Sequence, residues 1–264
     1  MKNDSLGDRM KGYETVSKSN LIKRTPVIIR IDGKAFHTWT KQLNMSAAMD
    51  PFSDVMNRAM SETTRLLVSN IQNAVLGYTQ SDEISILLND WKTLTTDQWF
   101  GNSTQKMASV AASMATAYFA QSIAEQTDQK FKPAMFDARV FNVPKEEVAN
   151  YFVWRQQDAT RNSVQMLGRH YFSHPEMNHK TVSDVQDMLM KTFTINWNDI
   201  DTWKKRGTCV KRGGYTDMGS AQNDLLGGVV SIKAPHTRIE LDKEIPIFTQ
   251  DRNYIEELLK AVST

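Results

Sequence analysis

The chain has 264 residues, 40% of them hydrophobic and 23% charged, with a formal net charge of +2. This balance excludes wholesale disorder and allows a sizeable core, in one elaborate domain or two small ones. A lone cysteine, Cys209, excludes an internal disulfide framework and a multi-cysteine zinc site, and it suits a reducing, cytoplasmic compartment.

The N-terminal stretch is polar and lacks a signal-peptide core. Val27 to Ile31 is mostly β-branched and runs from Pro26 to Asp32-Gly33, which predicts a buried strand ending in a turn. Asp50-Pro51 reads as a helix start, followed by apolar residues at helical spacing from Phe52 to Leu67, with Met49, Met56 and Met60 as core filler. Val75 to Tyr78 and Ile84 to Leu88 predict a hairpin whose polar tip, Thr79 to Glu83, carries carboxylates. Lys106 to Gln121 is rich in small residues and predicts a closely packed helix; its weakly polar run, Ala108 to Ala120, is too short and too often interrupted to span a bilayer. Arg139 to Val143 is a further strand candidate. Strand, helix, hairpin, helix, strand builds an antiparallel sheet with helices on one face, an α+β layer.

The second part predicts a long helix within Lys145 to Arg169, another over Val182 to Phe193, and a basic-aromatic stretch from Trp197 to Arg212 closed by Gly213-Gly214. Ile239 to Phe248 reads as extended and Asp251 to Val262 as a terminal helix. We expect a palm-like catalytic region over 1–145 and a helical, RNA-binding region over 146–264, packed as one compact unit.

Chemistry concentrates where Asp32 ends a buried strand and Asp82 and Glu83 sit at a hairpin turn. A strand end and a hairpin tip are natural neighbours in an antiparallel sheet, so three carboxylates would converge at one edge. Close carboxylates repel unless a cation neutralises them, and Mg²⁺, which takes carboxylates together with substrate phosphates, fits that need. A pair of such ions is the apparatus of nucleotidyl transfer. The Gly33 carbonyl would add a ligand, and the backbone N–H groups of Lys34 to His37 would cradle a triphosphate. Trp203 with Lys204, Lys205, Arg206, Lys211 and Arg212 forms a basic cluster of the kind that grips RNA phosphates. Cys209 reads as a packed residue rather than a nucleophile, and His170, His174 and His179 lack the partners of a zinc site.

The strings RIDGKAFHTWT (Arg30 to Thr40), GYTQSDEIS (Gly77 to Ser85) and FDARV (Phe136 to Val140) resemble the signature blocks of the tRNA-His guanylyltransferase family. YFVWRQQDA (Tyr151 to Ala159), INWND (Ile195 to Asp199) and KRGTCV (Lys205 to Val210) extend the resemblance along most of the chain. It implies a ferredoxin-like polymerase palm with a helical extension, assembled as a homotetramer, a dimer of dimers. It implies an enzyme that adds nucleotides in the 3′–5′ direction to the 5′ end of tRNA, activating that end with ATP and then adding GTP or another nucleoside triphosphate. By the same resemblance Asp32 and Asp82, with the Gly33 carbonyl, hold two Mg²⁺ ions beside Glu83. Lys34, Ala35, Phe36, His37 and Ser81 line the nucleotide, and Lys106 and Arg139 offset triphosphate charge. The tRNA-His-specific members carry HINN where this chain has Thr160 to Ser163, which points to the branch that repairs truncated tRNA 5′ ends. Ala35 stands where glycine is common. The competing expectation is a palm-type cyclase or oligonucleotide synthase that needs no tRNA.

Overall fold

The computed structural model describes residues 5–43, 51–223 and 228–260, with side chains described outside 214–237. In chain order the elements are α1 (Leu6–Thr15), β1 (Val27–Gly33), α2 (Phe36–Trp39), α3 (Asp54–Asn70), β2 (Ala74–Gln80), β3 (Glu83–Leu88), α4 (Thr104–Gln126) and β4 (Phe136–Asn142). Then follow α5 (Val148–Tyr171), α6 (His174–Met177), α7 (Val182–Phe193), α8 (Thr202–Arg206), β5 (Thr208–Asn223), β6 (Gly228–Asp242) and α9 (Asn253–Glu256). None of the described helices is long and apolar enough to cross a membrane.

The strands form one antiparallel sheet in the order β4-β1-β3-β2-β5-β6. Its first four strands, with α3 and α4 as connections, make the βαββαβ pattern of a ferredoxin-like palm. Period-2 alternation sorts β1 between two cores. Val27, Ile29 and Ile31 pack against α3 and α4, whereas Ile28 belongs to the opposite core, built with Phe152 of α5 and Phe248 and Ile255 from near the C-terminus. The antiparallel layer therefore carries helices on both faces. A third cluster joins Val164 and Leu167 of α5 to Val185, Leu189 and Trp197.

Local chemistry sets these elements. Ser53 caps α3, its Oγ accepting from the Met56 N–H at 3.2 Å, so the helix begins at Asp54 rather than at Pro51. The proposed cap Asp50, like Met49, lies outside the described residues. Along α4, Met107, Ala111, Ala115, Phe119, Ser122 and Ile123 are buried, and the small Ala111, Ala115 and Ser122 let the helix lie close to the sheet. Gly77 serves the same end on β2: a Cβ there would meet Thr64 Cγ2 of α3 at 2.5 Å.

The C-terminal part contains α5 and α7, close to the expected helices, and a hairpin that the sequence reading did not anticipate. β5 runs through Gly213 and Gly214 instead of ending there, because β6 pairs with it continuously from Cys209↔Asp242 to Asn223↔Gly228. Near the C-terminus the expected helix is represented by α9 and one 3₁₀ turn, Glu257–Leu259; positions 261–264 lie outside the described residues.

Candidate active site

β1 delivers Asp32 to the sheet edge. Asp32 pairs in register with Glu83 of β3 on one side and Asp137 of β4 on the other. Directly opposed residues share a sheet face, so Glu83, Asp32 and Asp137 form a row on the face that α5 covers in part. The hairpin between Gln80 and Glu83 closes through two residues, Ser81 at φ 50° and Asp82. Its turn is fastened to β1 by the Gly33 N–H, which donates to the Asp82 carbonyl at 3.0 Å. Glycine is needed at 33 because a Cβ would come within 2.3 Å of the Phe36 ring.

The Asp82 carboxyl is pushed up from its ordinary value, first by burial and then by the negative charge of Asp32, while its own backbone and the Ser81 hydroxyl oppose the shift. Ser81 Oγ donates to Asp82 Oδ1 at 3.1 Å. Asp32 and Asp82 thus repel each other, and neither forms an ion pair with a cation among the described residues.

Glu83 stands at the edge directly opposite Asp32, as expected, but its charge is already met from α5. Its Oε1 accepts from Arg155 Nε of α5 at 2.7 Å, with both side chains nearly buried. Burial pushes the Glu83 carboxyl up, against the pull of the Arg155 guanidinium. Arg155 also bonds Asp158 Oδ2 at 2.8 Å. Among the described residues no three histidine, cysteine or acidic side chains are placed to hold a metal ion. The available donor set is therefore a mutually repelling pair of aspartates, which fits Mg²⁺ completed by substrate phosphates rather than an all-protein cage.

In the loop after β1, the Lys34 N–H is already bonded to the Met135 carbonyl at 2.8 Å, so it does not join a phosphate cradle. Ala35 adopts the left-handed conformation, φ 56° and ψ 35°, that glycine would take without strain; an alanine there costs about 1–2 kcal/mol. Phe36 points inward, its ring 5.4 Å from Trp39 and 5.0 Å from Phe136, which leaves its backbone amide on the loop. The Lys34 and His37 side chains are exposed.

Arg139, on the same sheet face as Asp32, lies opposite Arg30 and 3.7 Å from Asp137. Lys106 does not reach this edge. It sits in the first turn of α4, whereas Phe119, thirteen residues on, is the part of α4 that packs on Phe36; at 1.5 Å per residue that separation is about 20 Å.

The C-terminal basic cluster is tied into the fold at several points. Lys204 pairs with Asp201 at 3.1 Å and lies over the Trp203 ring, and Lys205 donates to the Asn198 carbonyl. Arg206 is half-buried, and its carbonyl accepts from the Tyr78 hydroxyl at 2.7 Å. Lys211 sits 3.1 Å from the centre of the Tyr254 ring, and Arg212 bonds the carbonyls of Val68 and Ser69 at the end of α3. Lys204, Lys205, Lys211 and Arg212 thus have partners within the fold, whereas Arg206 contributes its carbonyl rather than its guanidinium. Cys209 is fully buried, which pushes its thiol up and away from nucleophilic use.

Sequence reasoning missed Asp137 and Arg155 as members of this neighbourhood. Alternation in β4 was the available signal for Asp137, since Phe136, Ala138 and Val140 pack in the opposite core. Arg155 is recognisable only once α5 is laid across β3.

A ferredoxin-like sheet that places two aspartates at a strand end and its adjoining hairpin turn defines a polymerase-palm enzyme. The family model for tRNAHis guanylyltransferase (Thg1) matches residues 7–144. A bacterial tRNA(His) guanylyltransferase (Thg1)-like protein in complex with ATP is 42% identical, covering 97% of this chain and 100% of its own, with a TM-score of 0.82. A bacterial Thg1-like protein in complex with GTP is 41% identical, covering 97% and 99%, with a TM-score of 0.76. The tRNA(His) guanylyltransferase of Debaryomyces hansenii is 28% identical over 73% of this chain and 75% of its own. The chain belongs to the tRNAHis guanylyltransferase family of nucleotidyltransferases.

Proposed function

We propose that this chain extends the 5′ end of tRNA in the 3′–5′ direction, using ATP to activate the 5′-monophosphate and GTP or another nucleoside triphosphate as the added unit. The observation that carries this reading is the fastening of the Asp82 turn to the end of β1, which sets two aspartates side by side without a cation of the chain's own. Asp32 and Asp82, with the Gly33 carbonyl, would hold Mg²⁺, which supplies activation of the attacking hydroxyl and stabilisation of the leaving oxygen. Ser81 holds the Asp82 carboxylate in place. Lys34, His37 and the amides of Ala35 to His37 serve the triphosphate on one side of the edge, and Arg139 adds charge on the sheet face. The ATP and GTP complexes of the bacterial relatives support both nucleotides as substrates.

Thr160 to Ser163 favour template-dependent repair of several tRNAs over strict tRNA-His guanylylation. There Ser163 is buried and accepts from Trp197 Nε1 at 2.9 Å, so it serves packing. In this reading the enzyme works in the cytoplasm as a homotetramer, with 1–145 carrying the chemistry and 146–264 holding the RNA. The test is extension of labelled, 5′-truncated tRNAs with ATP, Mg²⁺ and each nucleoside triphosphate. The account expects several tRNAs to be lengthened at the 5′ end. Joining of ATP and GTP to each other without RNA, with no tRNA extended, would replace it with a cyclase or oligonucleotide synthase.

A further inference from the structure

We infer that α1 is an arm that docks on a second copy of this chain: its apolar stripe, Leu6, Met10 and Tyr13 with Val16, covers the patch formed by Ile22, Leu94 and Phe100 of that copy, and the exchange is reciprocal. This rests on the homotetramer proposed above and gives it a surface. The helix itself is the starting point. Leu6, Met10 and Tyr13 follow at i, i+4 and i+7, so they share one stripe, and Val16 continues it past the last turn. All four are exposed, Tyr13 at 75% and Val16 at 86%, and no residue of α1 is buried. Among the described residues, the hydrogen bonds of 5–18 stay within that segment; Ser5 Oγ, for one, caps the helix by accepting from the Asp8 N–H at 3.1 Å. A helix of 10 residues is marginal in water without tertiary packing, so α1 needs a surface on which to lie.

Such a surface lies at the foot of the arm. The chain from Ser19 to Arg24 is tied down: the Thr104 N–H donates to the Ser19 carbonyl at 3.0 Å, the Leu21 N–H to the Asn102 carbonyl at 2.9 Å and the Ile22 N–H to Asn142 Oδ1 at 2.8 Å. Arg24 Nη2 donates to the Leu94 carbonyl at 2.9 Å. These bonds gather Ile22, Leu94 and Phe100 at one end of the sheet, and all three are exposed, Leu94 at 79%. Each copy thus carries both halves of a contact, joined by the short link 17–20, and the arm leaves its own patch bare.

A bare stripe and a bare patch on the same chain are self-complementary. Two copies related by a two-fold axis exchange arms and make each contact twice. At these exposures the seven side chains offer roughly 900 Å² per copy, close to the ~800 Å² per partner of a stable interface and above the ~300–600 Å² apolar patch usual on a monomer. Charge favours the same occupant. α1 carries Asp8, Arg9, Lys11 and Glu14, which cancel, so nothing draws it to RNA phosphates or an anionic lipid surface. The contact is also remote from the chemistry. Asn142, which holds Ile22, pairs with Val27 at the start of β1, and Asp32 lies five residues on, about 17 Å along the strand. The exchange leaves the carboxylate edge uncovered.

The natural full chain, Tyr13→Glu and Leu94→Glu are compared by sedimentation velocity over a dilution series, with circular dichroism on the same samples; both positions are exposed, so the fold should be kept. Each variant should weaken association at least about tenfold and run with half the natural number of chains. An equimolar mixture of the two should recover part of the larger particle, because a Tyr13→Glu copy paired with a Leu94→Glu copy keeps one stripe and one patch unaltered. Variants that associate as the natural protein does, or a mixture that recovers nothing, overturn the exchange of arms and leave the assembly to another surface. A natural protein that sediments as a single chain at every concentration overturns this inference together with the proposed homotetramer. Neither result touches the transfer reading, which the extension of truncated tRNAs tests separately.

Discussion

Two charged regions stand out in the chain, the carboxylates of Asp32, Asp82 and Glu83 and the cations from Lys204 to Arg212, and the fold treats them in opposite ways. In the basic stretch, side chains find partners inside the molecule: Asp201 for Lys204, a backbone carbonyl for Lys205, an aromatic ring for Lys211 and the end of α3 for Arg212. At the acidic edge two like charges are set together and left uncompensated. Folding satisfies charges that serve structure; a charge held in unfavourable company without a partner is available to a ligand. Glu83 sharpens the point, because it sits within the acidic edge and yet belongs to the compensated kind through Arg155.

The comparison can be broken by substitution. The largest expected effect is on transfer: Asp32→Asn or Asp82→Asn should lower 5′-end extension by at least about 10³-fold with the fold intact, since several kcal/mol of metal-borne stabilisation is lost. Circular dichroism and extension assays on the same samples check this. Next comes stability. Arg155→Met leaves Glu83 buried without its partner and should destabilise the protein by about 3–5 kcal/mol in urea unfolding. Glu83→Gln should leave the Mg²⁺ concentration for half-maximal activity close to its natural value, and a large rise would return Glu83 to the metal ligands.

Smaller effects are expected elsewhere. Arg212→Met removes the donors to Val68 and Ser69 and should cost about 1–3 kcal/mol, whereas Lys211→Ala should change RNA affinity by less than about twofold. The raised Asp82 carboxyl gives a pH test. A carboxyl raised on folding stabilises the fold while protonated, and that contribution is lost as pH rises through its folded value. Asp82→Asn should therefore raise the thermal midpoint at neutral pH without Mg²⁺, and the gain should shrink on acidification. An equal midpoint at neutral pH would remove the repulsion from the account.

Much of the palm was legible because its periodicities are strong. The β-branched run of β1, the apolar stripe of α3 and the paired runs of β2 and β3 each carry one clear pattern, and Asp32 and Asp82 fall at the turns those patterns leave. Less of the second half was readable. β5 and β6 support each other mainly through their mutual ladder, so Gly213-Gly214 looked like a stop when pairing with β6 overrides it. The fate of the basic cluster was hidden for a similar reason: the partners of Arg212 and Lys211 are Val68, Ser69 and Tyr254, far away in sequence. Lys106 was misplaced because a family position says nothing of which end of α4 faces the edge. Arg155 lies within the YFVWRQQDA string, yet its hold on Glu83 depends on α5 crossing β3 and no local pattern gives it away.

The most direct measurement is a count of bound Mn²⁺, as a stand-in for Mg²⁺, by electron paramagnetic resonance in the presence of GTP, on the natural protein and on Asp32→Asn, Asp82→Asn and Glu83→Gln. The account predicts that bound metal is lost in both aspartate variants and retained in Glu83→Gln. Full occupancy in the two aspartate variants would contradict it.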